Sequence, residues 1–209
     1  MTDTEGREPP KEGLRERKRR ETRKRIAVEA FKLFRERGYN AVTVDQIAEA
    51  ADVSKRTFFD YFPSKDDVVG TWQDSFVTAL ADAVAARPDG EPIGRVVEEA
   101  MIDALMASIP PDAEFINELI ESTPSLRVKN QYKYVELEWA LVAALAERFP
   151  GKSALKIKAF GMVAVGMLRL GVEEWHARRL AVAGDLRKFN AEMYGLLWEE
   201  IDEIRSGGR

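Results

Sequence analysis

The sequence predicts an all-α protein: a small N-terminal helix-turn-helix domain followed by a larger helical domain. Three observations predict it. No segment sustains the period-2 alternation of a strand, and apolar residues recur at threes and fours in one segment after another. Near the N-terminus, two short segments with polar caps, beginning at Thr43 and Ser54, stand back to back across a tight turn, the pattern of a helix-turn-helix.

The elements follow in order. Residues 1–14, "MTDTEGREPPKEGL", hold charge, Pro and Gly without an apolar h-region, so they read as a disordered tail and not as a signal peptide. From Leu14 to Arg37 the residues Ile26, Ala30 and Phe34 recur at i, i+4 and i+8, and Gly38 stops the helix. "TVDQ" at 43–46 is a capping box that starts a short helix with Ile47, Ala48 and Ala51 turned inward. Ser54 is a fresh N-cap for a second short helix from Lys55 to Tyr61, in which Phe58 and Phe62 share a face. Pro63 ends it, and Ser64 caps a longer helix to about Arg87 with Trp72, Phe76, Leu80 and Val84 in its stripe. Turn signals then divide the rest into helices at about 93–108, 112–122, 125–148, 153–179 and 185–204. The expected domains, after the tail, are therefore a helix-turn-helix domain at 15–63 and a helical domain at 64–209.

Composition narrows the function. The 209 residues contain no Cys, which removes disulfides, thiolate metal sites and thiol nucleophiles, and fits a reducing cytoplasm. The longest nearly uncharged run, Ala159 to Leu168, is too short to span a membrane, so a soluble protein is expected. Net charge is −4, yet residues 11–37 carry 12 Lys/Arg against 5 Glu, about +7. A basic arm on an acidic body suits nucleic acid better than the total suggests. No enzyme is expected: the lone His176 has no partner pattern, and metal-ligand spacings, a phosphate-binding Gly loop and a nucleophile elbow are missing from the sequence. No cofactor is implied. A helical lipid- or acyl-binding protein, or an enzyme with an incidental helix-turn-helix, stays as the alternative.

The stretch "DVSKRTFFDYFPSK" at 52–65 mixes positive charge with four aromatic rings. Phe58 and Phe62 serve as anchors for a two-turn helix. Lys55, Arg56 and Thr57 lie on its first turn, where a helix in the major groove presents side chains to base edges. Arg or Lys can donate to guanine O6 and N7, and the Thr methyl can meet a thymine methyl. Thr43, Ser54, Tyr61 and Lys65 are the candidates for phosphate contact, with Phe59 on the same outward side but without a hydroxyl. The basic run from Arg15 to Arg25 would add phosphate contacts as an arm.

Near the C-terminus, the stretch Ala159–Leu170 is apolar nearly all round and rich in small residues, and the last helix carries a stripe that includes Phe189, Met193 and Leu197. Together they look like half of a four-helix bundle completed by a second copy. Val163, Gly166, Leu170, Phe189, Met193 and Leu197 are the expected interface of a homodimer.

The segment "AFKLFRERGYNAVTVDQIAEAADVSKRTFFDYFPSKDDVV" resembles the DNA-binding domain of the TetR family of bacterial regulators, over about residues 20–70. The Phe-x-x-x-Gly-Tyr approach, the Thr-Val start of the second helix, the Val-Ser-Lys turn and the Tyr-Phe-x-x-Lys closing segment all fall in register. Arg56 and Phe59 depart from the residues most frequent there, Gly and Tyr. The resemblance implies an all-α homodimer on a palindromic double-stranded DNA operator, with repression relieved by a small molecule in the C-terminal domain. It places that ligand among the middle helices, where Trp72, Phe76, Met101 and Leu105 are available. Phe115, Leu119, Tyr132 and Trp139 join them, a set that suits an apolar effector. The stretch "SLRVKNQYKYVELEWALVAALAERF" is similar to a subgroup of actinobacterial regulators with acyl-CoA-like ligands, and a cytoplasmic, nucleoid-associated protein is implied.

Overall fold

The structure, a computed structural model, describes residues 13–177 and 183–206, apart from the side chains of a few residues near the C-terminus. Among the described residues every regular element is helical. The chain forms two compact units that divide between Val69 and Gly70.

The first unit begins with α1 (Leu14–Arg37), which buries Ile26, Ala27, Ala30, Leu33 and Phe34 along one stripe. Gly38 ends it at φ 80°, a backbone region in which a Cβ is strained, and its N–H reaches the Phe34 carbonyl. After a 3₁₀ turn at Tyr39–Ala41 come α2 (Val44–Ala50), α3 (Lys55–Tyr61) and the five-residue α4 (Lys65–Val69). Phe34, Phe58, Phe62, Ile47, Ile26 and Val42 are fully buried and form the centre of this small core.

The turn between α2 and α3 carries the one non-Gly residue with positive φ among the described residues, Asp52 at φ 50°. Its N–H reaches the Glu49 carbonyl at 3.0 Å, and the Val53 N–H reaches the Ala48 carbonyl at 2.9 Å. These are the two bonds of a Schellman motif, a site that Gly fills at least cost. Asp tolerates it better than most side chains do, because its short polar group is compatible with the left-handed region. Asp52→Gly is expected to raise the stability of the first unit by about 0.5–1 kcal/mol, and Asp52→Val to lower it by a similar or larger amount. A denaturant melt followed by circular dichroism checks both.

The second unit comprises α5 (Thr71–Ala86), α6 (Ile93–Ser108), α7 (Ala113–Ser122), α8 (Pro124–Arg148), α9 (Ala154–Ala177) and α10 (Ala183–Ser206). The observed bounds of α6 to α10 agree with the turn signals to within two residues. Helix α5 packs on α6 and α8, α8 on α7 and α9, and α10 on α6 and α9. Phe76, Leu80, Val96, Ala100, Leu141 and Leu145 sit in the centre of that core. Arg148 holds the C-terminal end of α8 to that of α5 by donating to the carbonyls of Ala85, Arg87 and Pro88. Helices α8 and α9 approach so closely at Gly161 that a Cβ there would lie 2.6 Å from Cγ2 of Val142. Small residues in α9 thus serve packing inside the chain as well as any outward face.

One expectation is corrected. The helix expected from Ser64 to Arg87 is two helices, broken at Gly70 (φ −80°, ψ 5°), where the Gln73 N–H closes back on the Gly70 carbonyl at 3.2 Å. Gly lowers the cost of such a break, since it is among the poorest residues at continuing a helix. The residues that follow Ser64, Lys65–Val69, consequently belong to the first unit, where α4 packs on α1.

Candidate nucleic-acid interface

The helix-turn-helix is set by caps at both of its short helices. Thr43 accepts the Gln46 N–H while Gln46 Oε1 accepts the Thr43 N–H at 2.9 Å, the reciprocal pair of a capping box. Ser54 Oγ accepts the Thr57 N–H at 3.0 Å and lies 2.8 Å from Thr57 Oγ1. Both hydroxyls of α3's first turn are thereby tied to one another. Helices of seven residues are marginal alone, so these caps and the packing of Phe58 decide that α3 exists.

Burial separates the four rings. Phe58 and Phe62 are fully buried, with ring centroids 5.7 Å apart, and the Arg23 guanidinium lies 4.9 Å from the Phe62 centroid. Arg23 in the basic arm is therefore spent on holding α1 against the rest of the unit. Phe59 is 47% exposed and packs edge-on against Phe58, so it forms an apolar rim beside the charged turn. Tyr61 is half-buried.

Lys55 and Arg56 are exposed on the first turn of α3, and Thr57 between them and the core is half-buried. Arg56 makes no hydrogen bond or ion pair with another described residue. Lys55 Nζ instead lies 2.9 Å from Asp45 Oδ2 on α2. Of the expected phosphate contacts, Lys65 is placed differently from the expectation. Its ammonium donates to the carbonyls of Tyr39 (2.9 Å) and Val42 (3.0 Å) and sits 4.3 Å from the Tyr39 ring centroid. Two of its three N–H groups thus close the loop ahead of α2, joining the Val42 N–H on the Tyr39 carbonyl.

The same loop is fixed from its other side by Tyr39, whose hydroxyl donates to Asp66 on α4. Burial first, then the bond to Asp66, then the charges of Asp66 and Asp67 hold the phenol well above its ordinary value near 10. The folded unit accordingly prefers the protonated ring. Its stability is at full strength below about pH 10 and is lost as the pH rises beyond that, where the unfolded chain ionises and the folded one does not. Alkaline melts should show this loss, and Tyr39→Phe should flatten it.

In the second unit, a cavity of about 10 Å³, room for a single water molecule, is lined by Trp72, Gln73, Phe76, Lys133, Tyr134, Leu137 and Leu168. Of the residues expected to meet a ligand, Trp72 and Phe76 line this cavity. Met101, Leu105 and Leu119 are buried and Phe115 is half-buried, but none of the four lines this cavity. Tyr132 and Trp139 are corrected: they are 71% and 68% exposed, on the outward side of α8. Residues seven apart on a helix share a face, and here that face looks away from Leu137 and Leu141. The polar members of the lining are the part that apolar periodicity does not reveal. Gln73 donates to Asn130, and Lys133 pairs with Asp74 and Glu136.

The expected dimer surface divides likewise. Val163, Gly166 and Leu170 are exposed on α9, together with Met162. Phe189 and Met193, expected at the interface, are instead buried within the chain, Phe189 edge-on to Trp175 at 5.4 Å. The Leu197 side chain, like that of His176, lies outside the described residues. Among the described residues no helix is long and apolar enough to cross a membrane.

Comparison with known proteins agrees with this geometry. Residues 26–70 match the family model described as bacterial regulatory proteins, tetR family. The HTH-type transcriptional regulator TcmR of Streptomyces glaucescens is 35% identical over 144 residues, which are 65% of this chain and 64% of that protein. The aligned stretch thus spans slightly under two thirds of that relative's length. Among solved structures, a putative TetR-family transcriptional regulator from Syntrophomonas wolfei has a TM-score of 0.61 at 13% identity, over 85% of this chain and 95% of that one. The fatty acid degradation regulator FadR from Bacillus halodurans has a TM-score of 0.54 at 20% identity, over 92% and 96%. Such identities carry the fold alone.

Proposed function

We propose, for a chain that belongs through residues 26–70 to the TetR family of bacterial regulators, that it is a ligand-responsive transcriptional repressor. It binds a palindromic operator in double-stranded DNA as a homodimer, in the cytoplasm and on the nucleoid, and it is not an enzyme. The observation that carries this reading is the exposed Lys55–Arg56 edge of α3, presented by two capped helices on a core that buries Phe58 and Phe62. A helix so mounted fits the major groove, with Arg56 able to donate to guanine O6 and N7. The exposed basic residues of α1, Arg15 to Arg20, supply charge for phosphates, and Thr43, Ser54 and Tyr61 the short polar contacts. Phe59 would meet the sugar edge through its ring, and Lys65 would have one N–H left to give.

Dimerisation is proposed through α9, whose outward Met162, Val163, Gly166 and Leu170 form an apolar strip that a two-fold copy would cover. The effector is a small apolar molecule, of acyl-CoA-like character, that enters beside Trp72, Phe76, Leu137 and Leu168. Those walls are apolar, while Gln73, Lys133 and Tyr134 offer polar groups for a head. The cavity as it stands holds only a water, so an effector must part α5 and α8 to enter. That displacement is what would alter the half-site spacing of about 34–36 Å, or a multiple, that a dimer needs.

A gel-shift titration of the full chain with the DNA upstream of its own gene, at several salt concentrations, tests the reading. Sequence-preferring binding that weakens steeply with salt is expected. Equal binding to all duplexes, or none, would favour a helical lipid-binding protein instead.

A further inference from the structure

The ion pair between Lys55 and Asp45 has no evident use in stability. Nζ and Oδ2 are 2.9 Å apart, but the two side chains are 57% and 65% exposed, and pairs so open to water add little. Asp45 on the first turn of α2 is favourably placed for that helix's dipole, whereas Lys55, the first residue of α3, is at the unfavourable end of its own. The carboxylate therefore stands beside a cation that helix energetics would not put there. It also sets a negative charge on the edge that meets a polyanion.

We propose that Asp45 is a positioning residue for sequence reading: it aims Lys55 at base edges and withholds it from phosphates. This rests on the DNA-binding reading above. An ammonium has three N–H donors, so one can stay on Asp45 while two face O6 and N7 of a guanine. Lys has four rotatable bonds, and holding its head in place before docking removes part of the ordering cost of that contact. A lysine already neutralised in this way displaces no counterion from a phosphate, so it adds nothing to binding that depends on charge alone. The pair thus lowers affinity for unrelated DNA more than affinity for the operator, and so raises the ratio between them. Arg56, which has no such partner, is left to contribute to both.

The test compares wild type, Asp45→Asn, Asp45→Glu, Lys55→Ala and the Asp45→Asn/Lys55→Ala double variant, all as full chain. The probes are a duplex selected by the wild type from a random pool and an unrelated duplex of equal length. Asp45→Asn should bind the unrelated duplex at least fivefold more tightly, with its salt slope steeper by about 1.8, one more phosphate for each protomer of the dimer. Operator affinity should gain less, so the specificity ratio falls at least threefold, and Asp45→Glu should restore it. On the Lys55→Ala background the change in slope should vanish. Thermal melts by circular dichroism show whether each variant is folded. Equal gains on both duplexes, an unchanged slope, or the same change of slope without Lys55 would overturn the proposal. A wild type that selects no sequence overturns the DNA-binding reading along with it, an outcome visible before any variant is made.

Discussion

Arg56→Ala is expected to lower affinity for the operator about five- to a hundredfold for each half-site while leaving the fold intact. The size follows from a bidentate contact to a base edge, worth roughly 1–3 kcal/mol, with 1.4 kcal/mol for each factor of ten. The selectivity follows from the structure. Arg56 is exposed and pairs with no described residue, and surface substitutions of that kind change stability by about 0.5 kcal/mol or less. The way it fails also separates two roles. Removing a hydrogen bond to a base should relax preference at one position of each half-site and leave the salt slope nearly unchanged. Removing a charge from a phosphate should weaken all sequences alike and reduce the slope by about 1.8, or about 0.9 for each protomer. Arg56→Lys should recover part of the affinity, since it keeps the charge without the planar fork. Binding curves on operators varied one position at a time distinguish these outcomes. Undiminished binding by Arg56→Ala would remove Arg56 from the reading edge.

Phe58→Ala is expected to cost about 3–5 kcal/mol, confined to the first unit. Phe58 is fully buried, and its ring is 5.5 Å from Phe59 and 5.7 Å from Phe62, so truncation opens a hole at the centre of the contact that anchors the seven-residue α3. A unit this small has little stability to spare. The second unit has its own core around Phe76, Leu80 and Leu141 and should keep its helices. The expected melt is therefore biphasic, with an early loss of part of the helical signal, and operator binding should disappear at temperatures where most helix remains. Phe58→Leu should fall between the two, because it refills most of the volume. A single transition at the wild-type temperature would show that α3 is held by something other than this ring.

Local signals did well where the deciding energies are local. Caps are chemistry between residues three apart, so Thr43 with Gln46 and Ser54 with Thr57 could be read directly, and the limits of α3 with them. Apolar stripes at threes and fours found every helix from α6 onward, and Phe58 with Phe62 was legible as an anchoring pair. Asp52 was not, because a Schellman turn is usually marked by Gly, and an Asp in that place looks like an ordinary helix stop. The break at Gly70 was missed for a similar reason: the stripe of α5 carries on from Val68 and Val69 in phase, and a Gly within a helical pattern is often tolerated.

The chain by itself determined its class, its helices, the placing of an exposed basic edge on α3 and the residues that hold it up. Those depend on spacing along one chain and on caps a turn away. Only the tertiary structure decided which charged and aromatic groups are spent inside the protein. It gave Lys65 to the Tyr39 and Val42 carbonyls, Arg23 to the Phe62 ring and Lys55 to Asp45, and it turned Tyr132 and Trp139 outward while Phe189 and Met193 went in. The physical reason is that a cation finds whichever acceptor the fold brings within about 3 Å. Separations of about ten to forty residues leave no periodic trace of that choice in the sequence.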